Sequence, residues 1–108
     1  MQKFVYHKDT KPVQASKGVT RRVLAYSPQI MAVEIKFEAG GIGEIHTHSH
    51  DQVSYIVSGV FLYTNDGDTK EVRAGDSLYF APGTEHGVEC IEAGCLLDVF
   101  TPLREDFL

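Results

Sequence analysis

Apolar and polar residues alternate along most of this chain. Val33, Ile35 and Phe37 interleave with Glu34, Lys36 and Glu38, the two-residue period of a strand with one buried face. Residues 19–26 and 52–58 carry β-branched and aromatic side chains in the same rhythm. Residues 61–64 and 69–73 flank Asn65-Asp66-Gly67-Asp68, whose Asp-Gly step has the chemistry of a hairpin turn. Residues 77–81, 86–91 and 95–100 complete the predicted strands. Gly40-Gly41-Ile42-Gly43, Gly75-Asp76, Pro82-Gly83 and Ala93-Gly94 punctuate them. No stretch has the period of a long helix, and Gln29 to Met31 lies too close to the following strand to form one. Many short strands at even spacing predict an all-β sandwich or barrel.

The last predicted strand is apolar on both faces. Leu96, Asp98 and Phe100 share one face, and Leu97, Val99 and Thr101 the other. One face is expected to line the barrel interior. The other is expected to meet an N-terminal strand or a second copy of the chain. With the β-compatible Phe4-Val5-Tyr6 near the N-terminus, this predicts a homodimer. Asp98, between Leu96 and Phe100, then points into the cavity. An unpartnered inward carboxylate is costly, so Asp98 is expected to bind something or to do chemistry. Pro102 ends the strand, and Arg104 follows on a closing tail, where its planar fork suits a substrate carboxylate.

Three imidazoles and an amide concentrate the candidate chemistry. His46 and His48 are two apart, so on a strand both point to one face. Gln52 follows after a short turn, and His86 arrives from a later strand. Taken singly, each histidine reads as an ordinary core or surface residue, and Gln52 as a polar strand start. Together they can close around a divalent ion and leave coordination positions open, unlike a closed structural zinc site. A glutamine keeps the protein shell neutral, so the ion retains its charge for an anionic substrate. His50 is expected at the surface or behind the ligands, and His7 in solvent.

Length and composition narrow the classes. The chain has 108 residues, which predicts a single domain over 1–108 with barrel strands from about 19 to 101. Apolar content of 43% and charged content of 23% are those of a globular protein. The opening MQKFVYHKDTK has no apolar signal core, and no run is long enough to span a membrane, so a cytoplasmic location is the expectation. The net charge of −5 and the lack of a basic stripe argue against a nucleic-acid partner. Cys90 and Cys95 read as two small, partly buried apolar residues rather than a disulfide framework.

Two glycine-framed blocks carry a family resemblance. Gly40, five residues, His46, one residue, His48, three residues, Gln52, six residues and Gly59 form the first block. Gly75, Pro82, Gly83 and His86 form the second. This resembles the two-part signature of the cupin superfamily, which implies a double-stranded β-helix, or jelly roll, with a metal inside the barrel. Gln52 stands where that signature has glutamate, Pro82 is one place late, and Cys90 replaces an asparagine. With the ending LLDVFTPLREDFL, the chain is similar to the KdgF-type cupins of pectin and alginate breakdown. That resemblance implies one divalent metal (zinc, nickel, manganese or iron) on His46, His48, Gln52 and His86. It also implies catalytic roles for Asp98, Phe100 and Arg104. The implied substrate is a small anionic sugar acid, a 4,5-unsaturated monouronate, whose ring is opened. Two other readings remain open at this level. An iron-dependent dioxygenase commonly needs a carboxylate ligand where Gln52 stands. A non-catalytic sugar-acid-binding domain would use the same fold.

Overall fold

The computed structural model describes residues 2–108 as eight strands, with a short 3₁₀ turn near each end of the chain. The strands are β1 (Val13–Ser16), β2 (Val19–Ser27), β3 (Ile30–Phe37), β4 (Ile42–His46), β5 (Asp51–Asn65), β6 (Asp68–Arg73), β7 (Ser77–Phe80) and β8 (His86–Thr101). All pairings are antiparallel. The main order is β1-β2-β3-β8-β5-β6, with β4 added on β8 and β7 on β5. The first part of β8 pairs with β4 and the far end of β5. Its second part pairs with β3 and the near end of β5. The two long strands therefore pass from one layer to the other and close the expected all-β jelly roll. Among the described residues no helix is long and apolar enough to cross a membrane.

Alternation explains which side chains fill the interior. Gln52, Ser54 and Ile56 on β5 and Leu96, Asp98 and Phe100 on β8 are buried, while their odd-numbered neighbours face outward. One apolar cluster joins Ile56, Phe61, Phe80 and Leu96, with Phe37 edge-on to Phe61 at 5.2 Å. A second joins Met31, Val33 and Phe100. The Asp66-Gly67 step has φ of 51° and 85°, the paired positive values that a tight two-residue hairpin demands.

The structure differs from the pattern-based expectation in four places. Residues 52–58 and 61–64 belong to one strand, as do 86–91 and 95–100. Ala93-Gly94 lies at a bend inside continuous β8, whereas Gly40-Gly41, Gly75-Asp76 and Pro82-Gly83 do separate strands. Register shifts fall between Ile56 and Phe61, and there Gly59 packs backbone to backbone against Gly94. Second, Ile42 and Gly43 are not loop but the start of β4. Third, β4 stops at His46, so His48 lies in the following loop rather than on the strand. Fourth, Phe4-Val5-Tyr6 forms no strand, and the N-terminal strand is β1, which extends the sheet edge beside β2 rather than covering β8. His7 is exposed, as expected, with its Nε2 2.8 Å from Glu34 Oε1.

A Cβ at position 94 would come within 2.6 Å of Gly59 Cα and still closer to the Ser58 carbonyl. Gly94→Ala is therefore expected to destabilise the fold by about 1–3 kcal/mol through overpacking. Thermal unfolding followed by circular dichroism checks this. An unchanged Tm would show that the bend does not need the close approach.

Candidate metal centre

His46 is the last residue of β4 and pairs across the sheet with His86, the first residue of β8. Their ring centroids lie 4.4 Å apart. His48 comes in from the loop after β4, 5.6 Å from the His46 ring and 4.8 Å from the His86 ring. One ligand atom from each of the three falls within 4.8 Å of the others. Gln52, second residue of β5, turns its Oε1 to within 2.8 Å of His48 Nε2. All four predicted ligands thus converge, although His48 arrives by a different route from the one its spacing suggested.

The hydrogen bonds leave lone pairs pointing inward. His46 Nδ1 lies 2.8 Å from the Glu44 carbonyl and His86 Nδ1 lies 2.9 Å from the Thr84 carbonyl. A carbonyl only accepts, so both Nδ1 atoms carry the proton and both Nε2 atoms are free to bind an ion. His86 Nε2 is buried with no partner at all. Burial between Phe80, stacked at 4.5 Å, and the other rings lowers the His86 pKa to about 4. Its ring is therefore neutral and needs to shed no proton to ligate at neutral pH. Burial also lowers the pKa of His48. An orphaned lone pair, two further imidazoles and an amide oxygen make a donor set that fits a divalent cation with exchangeable ligands.

A cavity of about 330 Å³ opens from this cluster into the barrel, lined by His46, Gln52, Tyr63, His86, Asp98 and Phe100 among others. Asp98 is 5% exposed. Its partner is Ser54, whose hydroxyl donates to Oδ1 at 2.5 Å. Burial pushes the Asp98 carboxyl up to about 6, against the pull of hydrogen bonds from Ser54 and Gln52 and of the Arg104 charge. Phe100 closes the same wall, edge-on to His48 at 5.7 Å.

Arg104 lies in the tail after β8 with its guanidinium 5.2 Å from the Phe100 ring and 4.3 Å from the Phe107 ring. Its Nε and Nη2 donate to the two carboxylate oxygens of Asp106 at 3.0 and 2.8 Å. The fork expected for a ligand is thus held by the chain's own tail, and only its Nη1 side and one Nη2 hydrogen are uncommitted. His50 stands behind the ligands. Its Nε2 donates to the Leu103 carbonyl at 3.1 Å, and its ring meets His48 edge-on. Cys90 and Cys95 are free thiols away from the ligands.

Three residues of this site were not singled out by pattern. Ser54 was legible in principle, because it is two residues from Gln52 and so shares its inward face. Tyr63, buried at the cavity wall, was not, because the register shifts between Ile56 and Phe61 break the alternation. Asp106 carried no signal beyond a charged tail.

The Cupin domain family matches residues 33–100 of the chain. The chain is 32% identical over 110 aligned residues to the pectin degradation protein KdgF of Dickeya dadantii, covering 100% of both. It is 29% identical over 84 residues to the oxalate decarboxylase OxdC of Bacillus subtilis, spanning 73% of this chain and 22% of that protein. Among solved structures, an RmlC-like cupin from Shewanella frigidimarina superposes with a TM-score of 0.96 at 39% identity, over 100% of this chain and 97% of that one. KdgF from a Halomonas species superposes with a TM-score of 0.94 at 31% identity, over 100% of both.

The chain is expected to bind one divalent ion at His46, His48, Gln52 and His86. Elemental analysis of the purified protein and anomalous scattering at the site check the assignment. His86→Ala is expected to weaken binding by more than the about 10–100-fold that loss of a supporting hydrogen bond costs. Undiminished metal content in that variant would place the ion elsewhere.

Proposed function

Since the chain belongs to the cupin family, and within it to the KdgF type, we propose that it opens the ring of 4,5-unsaturated monouronates released in pectin or alginate breakdown. The product is the linear 4-deoxy-5-keto uronate. The observation that carries this reading is the buried Asp98, set on the wall of the cavity that also holds His46, Gln52 and His86. A carboxyl sharing one cavity with imidazole and amide donors suits proton transfer on a bound sugar acid. The match to KdgF of Dickeya dadantii, named as a pectin degradation protein, supports the substrate class.

The net change is an isomerisation. As the anomeric hydroxyl gives up its proton, the bond between C1 and the ring oxygen breaks, giving an aldehyde at C1 and an enolate at C5. A proton added at C4 gives the ketone. Asp98 takes the anomeric hydroxyl proton as the ring opens and returns a proton at C4, acting as base and then acid. Its pKa of about 6, set chiefly by burial, lies near neutrality, where one group can serve both roles. Arg104 offers its uncommitted Nη hydrogens to the substrate carboxylate, while Asp106 holds the rest of the fork in place. Phe100 covers the sugar face and excludes water, which strengthens the local electrostatics. A divalent ion on His46, His48, His86 and Gln52 Oε1 would supply Lewis-acid stabilisation of the enolate charge.

The reading includes a dimer. Val53, Tyr55 and Tyr79 remain exposed on the outer sheet face beside Val99 and Leu97, which this chain leaves half-buried. Glu34 and Lys36 border the same face on β3, so two copies related by a twofold axis can exchange complementary charges across it. Light scattering at micromolar concentration is expected to give twice the chain mass, and a monomer would overturn the pairing.

Unsaturated galacturonate incubated with the metal-loaded chain is expected to lose its double-bond absorbance and to show the linear keto product by NMR. Asp98→Asn should keep fold and metal, because the side chains are nearly equal in size, and lose about 10²–10⁴-fold in kcat. Arg104→Lys keeps the charge but not the fork, so it should raise KM more than it lowers kcat. Wild-type turnover in metal-replete Asp98→Asn would remove the proton carrier from the mechanism. Binding without turnover by the wild-type chain would favour a sugar-acid-binding module.

A further inference from the structure

Ser54 has no exposed surface and sits between two of the residues just given roles. Gln52 Nε2 donates to Ser54 Oγ at 3.0 Å, and Ser54 Oγ donates to Asp98 Oδ1 at 2.5 Å. A serine hydroxyl has a single proton and otherwise accepts. With that proton committed to the carboxylate, Ser54 can only accept from position 52. An amide meets the demand with its NH2 and necessarily turns its oxygen the other way, where Oε1 lies 2.8 Å from His48 Nε2. A carboxylate at position 52 has no hydrogen to give.

We propose that Ser54 is a positioning residue that sets the direction of this buried chain, from Gln52 through Ser54 to Asp98, and so requires an amide rather than a carboxylate at position 52. The chain does two things at once. It presents the Gln52 oxygen, not its nitrogen, to the imidazole cluster. It also fixes the Asp98 carboxyl through Oδ1. The departure of Gln52 from the glutamate of the cupin signature is then a consequence of an aspartate and a serine elsewhere in the barrel. The inference deepens the reading of Gln52 and Asp98 above and rests on it, but its main test needs no substrate.

In Gln52→Glu the Ser54 hydroxyl is caught between two acceptors, and one contact places oxygen against oxygen. In Gln52→Glu with Asp98→Asn the chain can run in reverse. The amide that replaces the Asp98 carboxylate donates to Ser54, and Ser54 donates to the new carboxylate at position 52. The experiment is urea unfolding of the full chain in chelator, so that a stronger metal ligand at position 52 contributes nothing. It compares wild type, both single variants and the double variant, and then the same four in a Ser54→Ala background. Gln52→Glu is expected to lower the folding equilibrium constant by about tenfold or more, and Asp98→Asn to restore most of the loss. In the Ser54→Ala background the coupling between positions 52 and 98 should shrink to about twofold or less. A Gln52→Glu chain as stable as wild type overturns the proposal. So does coupling that persists undiminished without the hydroxyl, which would mean direct repulsion between two carboxylates. If Ser54→Ala does not fold, Ser54→Cys, with its weak donor, provides the background with the same two outcomes. The visible spectrum of the cobalt-loaded chain adds a direct readout. It should change in Ser54→Ala, where nothing fixes the amide, and an unchanged spectrum would refute the orienting role. Failure of ring opening alters none of these results, so the two readings fail separately.

Discussion

The ladder between β5 and β8 runs from the Asp51–Thr101 pair to the Asn65–His86 pair, nearly the whole length of both strands. It places Gln52 opposite Phe100 and Ser54 opposite Asp98, and it starts β8 with His86, which β4 then meets with His46. Gln52, Ser54, His86 and Asp98 are all set by this one register. Because side chains alternate with period two, a slip of one residue would turn Gln52 and Ser54 outward and leave Asp98 facing apolar side chains. The register is held by the apolar residues that share the inner face. Ile56 and Leu96 are fully buried directly beyond the polar pairs, and Phe80 and Phe100 flank them.

The ladder can serve both layers only because it bends. Gly59 and Gly94 let the two backbones meet where side chains would keep them apart. The same bend shifts the alternation, so Val60 and Phe61 are both buried and Tyr63 enters the cavity wall. The site therefore draws Gln52, Ser54 and Asp98 from one side of the bend and Tyr63 and His86 from the other.

Charge in the site is sparse and each charge is answered. Burial lowers the pKa of His48 and His86, Asp98 is the buried carboxyl, and Arg104 balances it from the tail. The tail is itself braced. Phe107 lies between the Arg21 and Arg104 guanidinium groups, at 4.0 and 4.3 Å, and meets Phe100 edge-on at 5.8 Å. His50 ties the ligand loop to the Leu103 carbonyl, and Leu103 N–H reaches the Pro28 carbonyl. Arg104 is thus held through cation–π contacts and one carboxylate, at a small cost in side-chain freedom.

Much of this protein is legible without coordinates. Alternation in residues 33–37 and 95–100 reports strands with a buried face, the Asp66-Gly67 step reports a hairpin, and the spacing of His46, His48, Gln52 and His86 reports a convergent donor set. These signals are local, or are carried by residue types too specialised to coincide often. Tertiary structure alone decided the rest. That two strands are one bent strand depends on Gly59 meeting Gly94 from a distant segment. That Tyr63 faces inward depends on register shifts that period-two counting cannot anticipate. That Arg104 is engaged by Asp106 and Asp98 by Ser54 depends on which donors pack beside which acceptors. A side chain's face is dictated by its own strand, but its hydrogen-bond partner is dictated by the strand across from it.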